Sequence, residues 1–273
     1  MSDPRVLREA AAQLLGPCEV TAVLAGAVAR VVTASGEEFV VKQHLNRPLH
    51  EREVHAYRHW TGALGSSAPR LVAVDDPAMI IVTSALPGSP ASADLSPSVY
   101  RQAGVLLRRF HHAEPSSDLA WFNGWLRDRA DHWTSRAAAL MTEADAKVIE
   151  SHLATLRRMG VPRGGPCHLD FQPRNWLIGK SADVALIDFE HARIDLPARD
   201  FVRLRFRIWA TRPDLRDAFF DGYGRPLTEA EDQLVWHLGA LDALTALVRG
   251  HETGDPEFTA SGNATLQQLR KQP

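Results

Sequence analysis

Cysteine is almost missing from this chain. Cys18 and Cys167 are the only two in 273 residues, too few for a disulfide framework and as expected for reduced thiols in a cytoplasmic protein. Lysine is also scarce, with 4 against 27 arginines, at positions 42, 147, 180 and 271. No apolar run approaches the roughly 18 residues that a membrane-spanning helix requires. The opening MSDPRVLREAAAQLL lacks the basic head and apolar stretch of a secretory signal. No excess of one charge exists either: the formal net charge is −2, which argues against a nucleic-acid partner. No G-x-x-x-x-G-K-[ST] segment occurs, which disfavours a P-loop nucleotidase. There is no internal repeat and no low-complexity tract.

What is present is ordinary globular composition, 45% hydrophobic and 23% charged, enough for a sizeable core. Residues 5–15 have helical apolar spacing. From 19 to 43 the pattern changes to short valine-rich runs separated by Gly26 and by Ser35-Gly36, which predicts three strands joined by tight turns. A charged helix is predicted over 49–60, with Val54, Tyr57 and Trp60 inward. Two further strands follow at 69–74 and 79–83. The clearest breaker is Leu86-Pro87-Gly88-Ser89-Pro90, which sets a boundary between an N-terminal lobe, 1–86, and a C-terminal lobe, 87–273. Beyond it, helices are predicted at 96–112, 144–159, 196–211 and 228–250, with short strands around a loop at 167–188. The polar tail after Gly250 is expected to be partly mobile. The fold class is α+β: a small strand-rich lobe with one helix, and a larger, mainly helical lobe.

The densest chemistry lies in residues 167–190, CHLDFQPRNWLIGKSADVALIDFE. Asp170, Asn175 and Asp188 match D-x-x-x-x-N…D, with which kinases receive an acceptor proton and hold the metal on ATP. Asp170 is the candidate base, orienting a hydroxyl and taking its proton. Asn175 and Asp188 offer one neutral and one charged hard oxygen, suited to Mg²⁺. Taken singly, each reads first as a turn or strand-end residue; the joint spacing sets them apart. His168 is expected to brace the loop through backbone bonds. Lys42 ends the apolar run Phe39-Val40-Val41, and a helix carrying Glu51 and Glu53 follows, so a Lys–Glu pair can hold the ammonium toward phosphates. Glu53 is the better partner because it precedes inward Val54. Gly26, in Leu24-Ala25-Gly26-Ala27-Val28, is the single glycine of a candidate phosphate-covering loop.

With these residues identified, the chain resembles the aminoglycoside phosphotransferase and choline kinase family, relatives of the protein kinases. His168-Leu169-Asp170-Phe171-Gln172-Pro173-Arg174-Asn175 is similar to its H-G-D-x-x-x-x-N loop, and Ile187-Asp188-Phe189-Glu190 to its I-D-[WF]-[EG] segment. Val41-Lys42 and Arg52-Glu53 resemble its ATP lysine and helix glutamate. Ile80 to Gly88 resembles its hinge, Leu107 to His111 its L-x-x-L-H helix end, and Pro197 to Phe201 a later segment with a structural aspartate. The likeness spans roughly residues 20–205. It implies a bilobal protein-kinase-like fold, ATP and Mg²⁺ as cofactors, Thr83 and Ala85 at the nucleotide, and Asp200 in structural support. Leu169 departs from the usual glycine, Gln172 from a frequent histidine, and the glycine loop is sparse. The arginine of H-R-D and an A-P-E segment are absent, which disfavours a protein kinase.

The expected activity is transfer of the γ-phosphoryl group of ATP to a hydroxyl of a small molecule, an aminoglycoside or other antibiotic being one candidate. The alternatives are a metabolic kinase of the choline, homoserine or sugar type, or a nucleotide-binding module without catalysis. Residues 89–273 hold 24 acids and 23 Lys plus Arg, a balance that disfavours a highly cationic acceptor. Trp121, Phe122, Trp125 and Trp133 either stack on an acceptor or pack a helix. No nucleic-acid or membrane partner is expected, and the oligomeric state is left open.

Overall fold

Small apolar residues alternating with polar ones build the first sheet, and glycine turns fold it back on itself. The computed structural model describes residues 4–91, 96–160 and 163–271. Along the chain, α1 (Pro4–Leu15) leads into β1 (Cys18–Ala25), β2 (Val28–Thr33) and β3 (Glu38–Gln43). Helix α2 (Arg47–His59), β4 (Leu71–Asp75), β5 (Ile80–Ser84) and the short β6 (Ser89–Pro90) follow. Next come α3 (Pro97–His111), α4 (Phe122–Ala137), α5 (Glu143–Arg158), β7 (Gly165–Cys167), β8 (Trp176–Ile178), β9 (Val184–Leu186) and β10 (Arg193–Asp195). Helices α6 (Ala198–Leu204), α7 (Pro213–Tyr223), α8 (Glu229–Thr253) and α9 (Pro256–Leu269) complete the chain. The N-terminal region is thus strand-rich and the C-terminal region mainly helical, as the sequence predicts.

Two compact units form, each from separated stretches. The first comprises Met1–Leu95, Val105–Glu114 and His168–Arg193; the second comprises Ser96–Gly104, Pro115–Cys167 and Ile194–Pro273. Residues 168–193, which the 86/87 division assigns to the C-terminal lobe, group with the N-terminal strands.

In the first unit, five antiparallel strands run in the order β1-β2-β3-β5-β4. Gly36 turns the β2–β3 hairpin with φ 83°, and its N–H donates to the Thr33 carbonyl at 2.9 Å. One face of the sheet presents Ala29, Val31, Val41 and Val82, which pack with Leu7, Ala10 and Ala11 of α1. Helix α2 starts where Asn46 Oδ1 accepts from the Leu49 N–H at 3.2 Å, a standard N-cap that satisfies one orphan donor. A second small sheet, β6-β8-β9, frames the 168–193 segment. Gly88 joins it closely: a Cβ there would lie 2.5 Å from the Ile178 carbonyl oxygen, and φ is 114°. No side chain fits that position.

The second unit is helical, apart from the pair formed by β7 and β10. Three of its helices are not read from the sequence. In α4, Phe122, Leu126, Ala130, Trp133 and Ala137 are buried at helical spacing, so the aromatic cluster is largely a packing face. Helix α7 closes on left-handed Gly224. After Gly250 the described residues are mostly helical: α8 continues to Thr253 and turns at Gly254 with φ 65°. Asp255 then caps α9, accepting from the Phe258 N–H at 2.9 Å, and α9 buries Gly262, Thr265, Leu266 and Leu269. A polar tail is held because glycines at 250 and 262 let α9 lie against α8. Among the described residues, no helix is long and apolar enough to cross a membrane.

Candidate active site

Strand alternation places Lys42 on the sheet face opposite the core residue Val41. Its ammonium Nζ lies 2.8 Å from Glu53 Oε2, 2.5 Å from Asp188 Oδ1 and 2.9 Å from Glu190 Oε2. On α2, Glu53 is buried and Glu51 is exposed. Glu53 does more than meet Lys42: its Oε1 accepts the Phe189 backbone N–H at 3.1 Å. One carboxylate therefore ties β3 and α2 to the segment carrying Asp188. Phe189 is buried against Tyr57, Phe110 and His168, which fixes the backbone beside Asp188.

These charges hold one another. Burial by itself pushes the Lys42 ammonium's pKa down, but Glu53, Asp188 and Glu190 outweigh it and raise the pKa above the ordinary value. Burial pushes the Glu53 and Asp188 carboxyls up, and Lys42 outweighs it, so both lie below the usual carboxylate range. His44 adds to the effect on Glu53.

Behind Glu53 runs a buried relay. His44 Nε2 donates to Glu53 Oε2 at 2.6 Å, and His50 Nε2 donates to Asp76 Oδ1 at 2.8 Å. The two Nδ1 atoms lie 3.3 Å apart, and His44 Nδ1 is also 3.3 Å from the Met79 carbonyl. His44, Glu53 and Glu190 come close enough to ligate a cation, and the cation among them is the Lys42 ammonium.

The catalytic-loop candidates gather around Asp170. Gln172 Nε2 donates to its Oδ1 at 2.7 Å; Arg174 and Asn175 Nδ2 donate to its Oδ2, both at 2.8 Å. Asn175 Nδ2 also donates to the Asp170 carbonyl at 2.9 Å. With its amide nitrogen facing Asp170, Asn175 directs its amide oxygen elsewhere. A hard amide oxygen, the Asp188 carboxylate and a surplus of acid around Lys42 fit a divalent cation such as Mg²⁺. His168 Nε2 donates to the Ile187 carbonyl at 3.1 Å, and the Ile187 N–H donates to the Asn175 carbonyl at 3.1 Å. These bonds join the loop to the Asp188 strand. Leu169 and Asp188 both adopt left-handed backbone, with φ 61° and 67°.

The remaining sequence candidates fall as follows. Thr83 is buried on β5. The Ala85 N–H donates to the Glu38 carbonyl at 3.2 Å, so a nucleotide contact at Ala85 would use its carbonyl. Gly26 occupies the β1–β2 turn with φ 34° and open space around its Cα. Asp200 is buried in the first turn of α6 and belongs to the second unit. Of the aromatic cluster, Trp121 is 41% exposed and Arg199 covers the Trp125 ring at 4.4 Å. Sequence reasoning missed Glu190, His44, His50 and Arg174. Only Glu190 carried a local signal, as the residue closing Ile187-Asp188-Phe189-Glu190.

A family model described as the phosphotransferase enzyme family matches residues 19–236. The chain belongs to this family. Its solved relatives share the fold at low identity. An aminoglycoside phosphotransferase from Alicyclobacillus acidocaldarius is 19% identical, with 99% of this chain and 96% of that chain covered and a TM-score of 0.62. A macrolide 2'-phosphotransferase from Brachybacterium faecium is 18% identical, with 96% and 97% covered and a TM-score of 0.63. A choline kinase from Streptococcus pneumoniae is 16% identical, with 98% and 97% covered and a TM-score of 0.67. No curated protein matches the chain by sequence. The kinase-like α+β fold of this phosphotransferase family is thereby the fold of the chain.

Proposed function

We propose that this family member transfers the γ-phosphoryl group of Mg·ATP to a hydroxyl of a small molecule. The observation that carries the proposal is the single constellation in which Glu53 joins Lys42 to the Asp188 segment, while Asn175 holds Asp170. In this reading Lys42 meets the α- and β-phosphates, and Glu53 holds it there. Asp170 orients the acceptor hydroxyl and accepts its proton. Asn175 and Asp188 hold Mg²⁺, which neutralises charge on the transferring phosphoryl group. Gly26 lets the β1–β2 turn approach phosphate, and Thr83 and Ala85 lie at the base. His168 supports the loop, and Asp200 has a structural role in its own segment. The division at 86/87 separates the nucleotide strands from the acceptor-binding helices. The chain acts in the cytoplasm, needing neither membrane nor nucleic acid. Solved relatives named for aminoglycosides, a macrolide and choline support a small-molecule acceptor; antibiotic inactivation and a metabolic role both fit.

The test is ADP release from Mg·ATP across a panel of hydroxyl acceptors, repeated with Asp170→Ala. Turnover that disappears in the variant, with Mg·ATP binding retained by calorimetry, supports the reading. Undiminished turnover removes Asp170 from the mechanism. A second reading, a nucleotide-binding module without transfer, draws on Leu169, whose left-handed backbone suits glycine better. Mg·ATP binding without Asp170-dependent ADP release would favour it.

A further inference from the structure

The charge of the acceptor bears on an exposed cation paired with Asp170. The Arg174 guanidinium donates to Asp170 Oδ2 at 2.8 Å, and the Arg174 side chain is 68% exposed against 4% for Asp170. The other donors are set deeper. Asn175 is buried and held to Asp170 through two bonds, and Gln172 is half-buried. A hydroxyl that takes Oδ2 therefore displaces the exposed Arg174 more readily than the buried Asn175.

That exchange has an electrostatic consequence. When the acceptor hydroxyl takes Oδ2, the guanidinium loses its ion-pair partner while remaining within a few ångströms of the bound acceptor. An oxyanion on the acceptor restores a partner, and the planar guanidinium fork matches a carboxylate or phosphate in two hydrogen bonds. An ammonium at the same place is repelled. Residues 89–273 as a whole hold nearly equal numbers of acids and bases, 24 against 23.

We propose that Arg174 is an acceptor-binding residue and that the acceptor carries an oxyanion, carboxylate or phosphate, close to the hydroxyl that is phosphorylated. The proposal rests on the phosphotransfer reading above. In that reaction the acceptor oxygen bonds to the γ-phosphorus as the bond to ADP breaks, and its proton passes to Asp170. Arg174 takes no part in these bond changes; it selects and orients the acceptor.

The experiment measures ADP release over two matched series, glycerate, glycerol and serinol, then gluconate, glucose and glucosamine. Glycerol phosphate separates phosphate from carboxylate recognition, and an aminoglycoside serves as the polycation. The expected order of kcat/KM is anionic above neutral above cationic, with roughly tenfold between the extremes at low salt. The gap narrows as salt is added. Arg174→Gln should flatten the order and Arg174→Glu should invert it. A uniform loss in either variant leaves the order readable, so a purely structural role for Arg174 would lower all rates together without reordering them. Cationic members turned over as well as anionic ones, or an order unchanged in Arg174→Glu, overturns the proposal. So does silence from every anionic member while Asp170-dependent ATP hydrolysis persists. Failure to bind Mg·ATP at all is a different result, which removes the phosphotransfer reading and this proposal with it.

Discussion

His44 Nε2 lies 2.6 Å from Glu53 Oε2, and the same oxygen meets the Lys42 ammonium at 2.8 Å. The buried Glu53 Oε2 is thus clamped between two donors, Lys42 near the end of β3 and His44 two residues further on. Replacing His44 by Ala takes away one clamp and leaves Lys42 and the Phe189 N–H to hold Glu53. The expected loss is about 2–3 kcal/mol of stability, the usual cost of leaving a charged buried acceptor short of a partner. The KM for ATP should rise with it. Denaturant midpoints and ATP saturation curves measure the two effects.

Lys42→Met removes the one ammonium shared by Glu53, Asp188 and Glu190. Three carboxylates then repel one another in a partly buried site. The variant should lose about 3–5 kcal/mol at neutral pH. The loss should shrink toward pH 4, as the crowded carboxyls take up protons. Thermal melts of variant and wild type across that range compare them, and a pH-independent difference would contradict the shared-ammonium arrangement.

Acid sensitivity follows from Glu53 and Asp188, whose folded pKa values lie below the ordinary 4.5 and 3.8. A depressed carboxyl contributes stability that is fully present above its unfolded pKa and lost as pH falls through the folded pKa. The wild type should therefore lose stability steeply below about pH 4.5. Glu53→Gln should show a shallower fall, since its amide does not titrate. Lys42, shifted up, works in the opposite sense: its contribution is complete below pH 10.5 and fades only as pH rises through the higher folded value.

Gly88→Ala would bring a methyl to 2.5 Å from the Ile178 carbonyl, at a backbone angle few side chains adopt. Overpacking and left-handed strain together should cost about 2–4 kcal/mol. Because β6 pairs with β8, which follows Asn175 directly, ADP release should fall as well. A variant with wild-type unfolding would show that the close approach relaxes freely.

Leu169 carries its own strain, with φ 61° where its side chain is half-buried. Leu169→Gly relieves roughly 1–2 kcal/mol of left-handed strain and gives up side-chain contact and unfolded-state restriction of similar size. The net change should stay within about 1 kcal/mol. Leu169→Val, β-branched, should be clearly destabilised. Urea unfolding of the pair separates backbone strain from packing.

Part of this protein was determined by sequence alone. The spacing of Asp170, Asn175 and Asp188 is local, and strand alternation places Lys42 opposite Val41, so these needed no knowledge of the fold. The glycine turns and the capped start of α2 are likewise written in short segments. The tail shows the limit: Gly254-Asp255-Pro256 signals a new helix, yet a polar sequence does not reveal the glycine-lined surface of α8 that holds it. Tertiary structure alone decided the rest of the site. Sequence favoured Glu53 over Glu51 as the residue before inward Val54, but the Phe189 backbone that meets it came only with the fold. His44, His50 and Asp76 are unremarkable in sequence and meet only in space, and Glu53 and Phe189 bond across 136 positions of sequence. The physical reason is the cost of burying charge. A buried carboxylate must find donors wherever the fold brings them, and such partners follow distance in space rather than order along the chain.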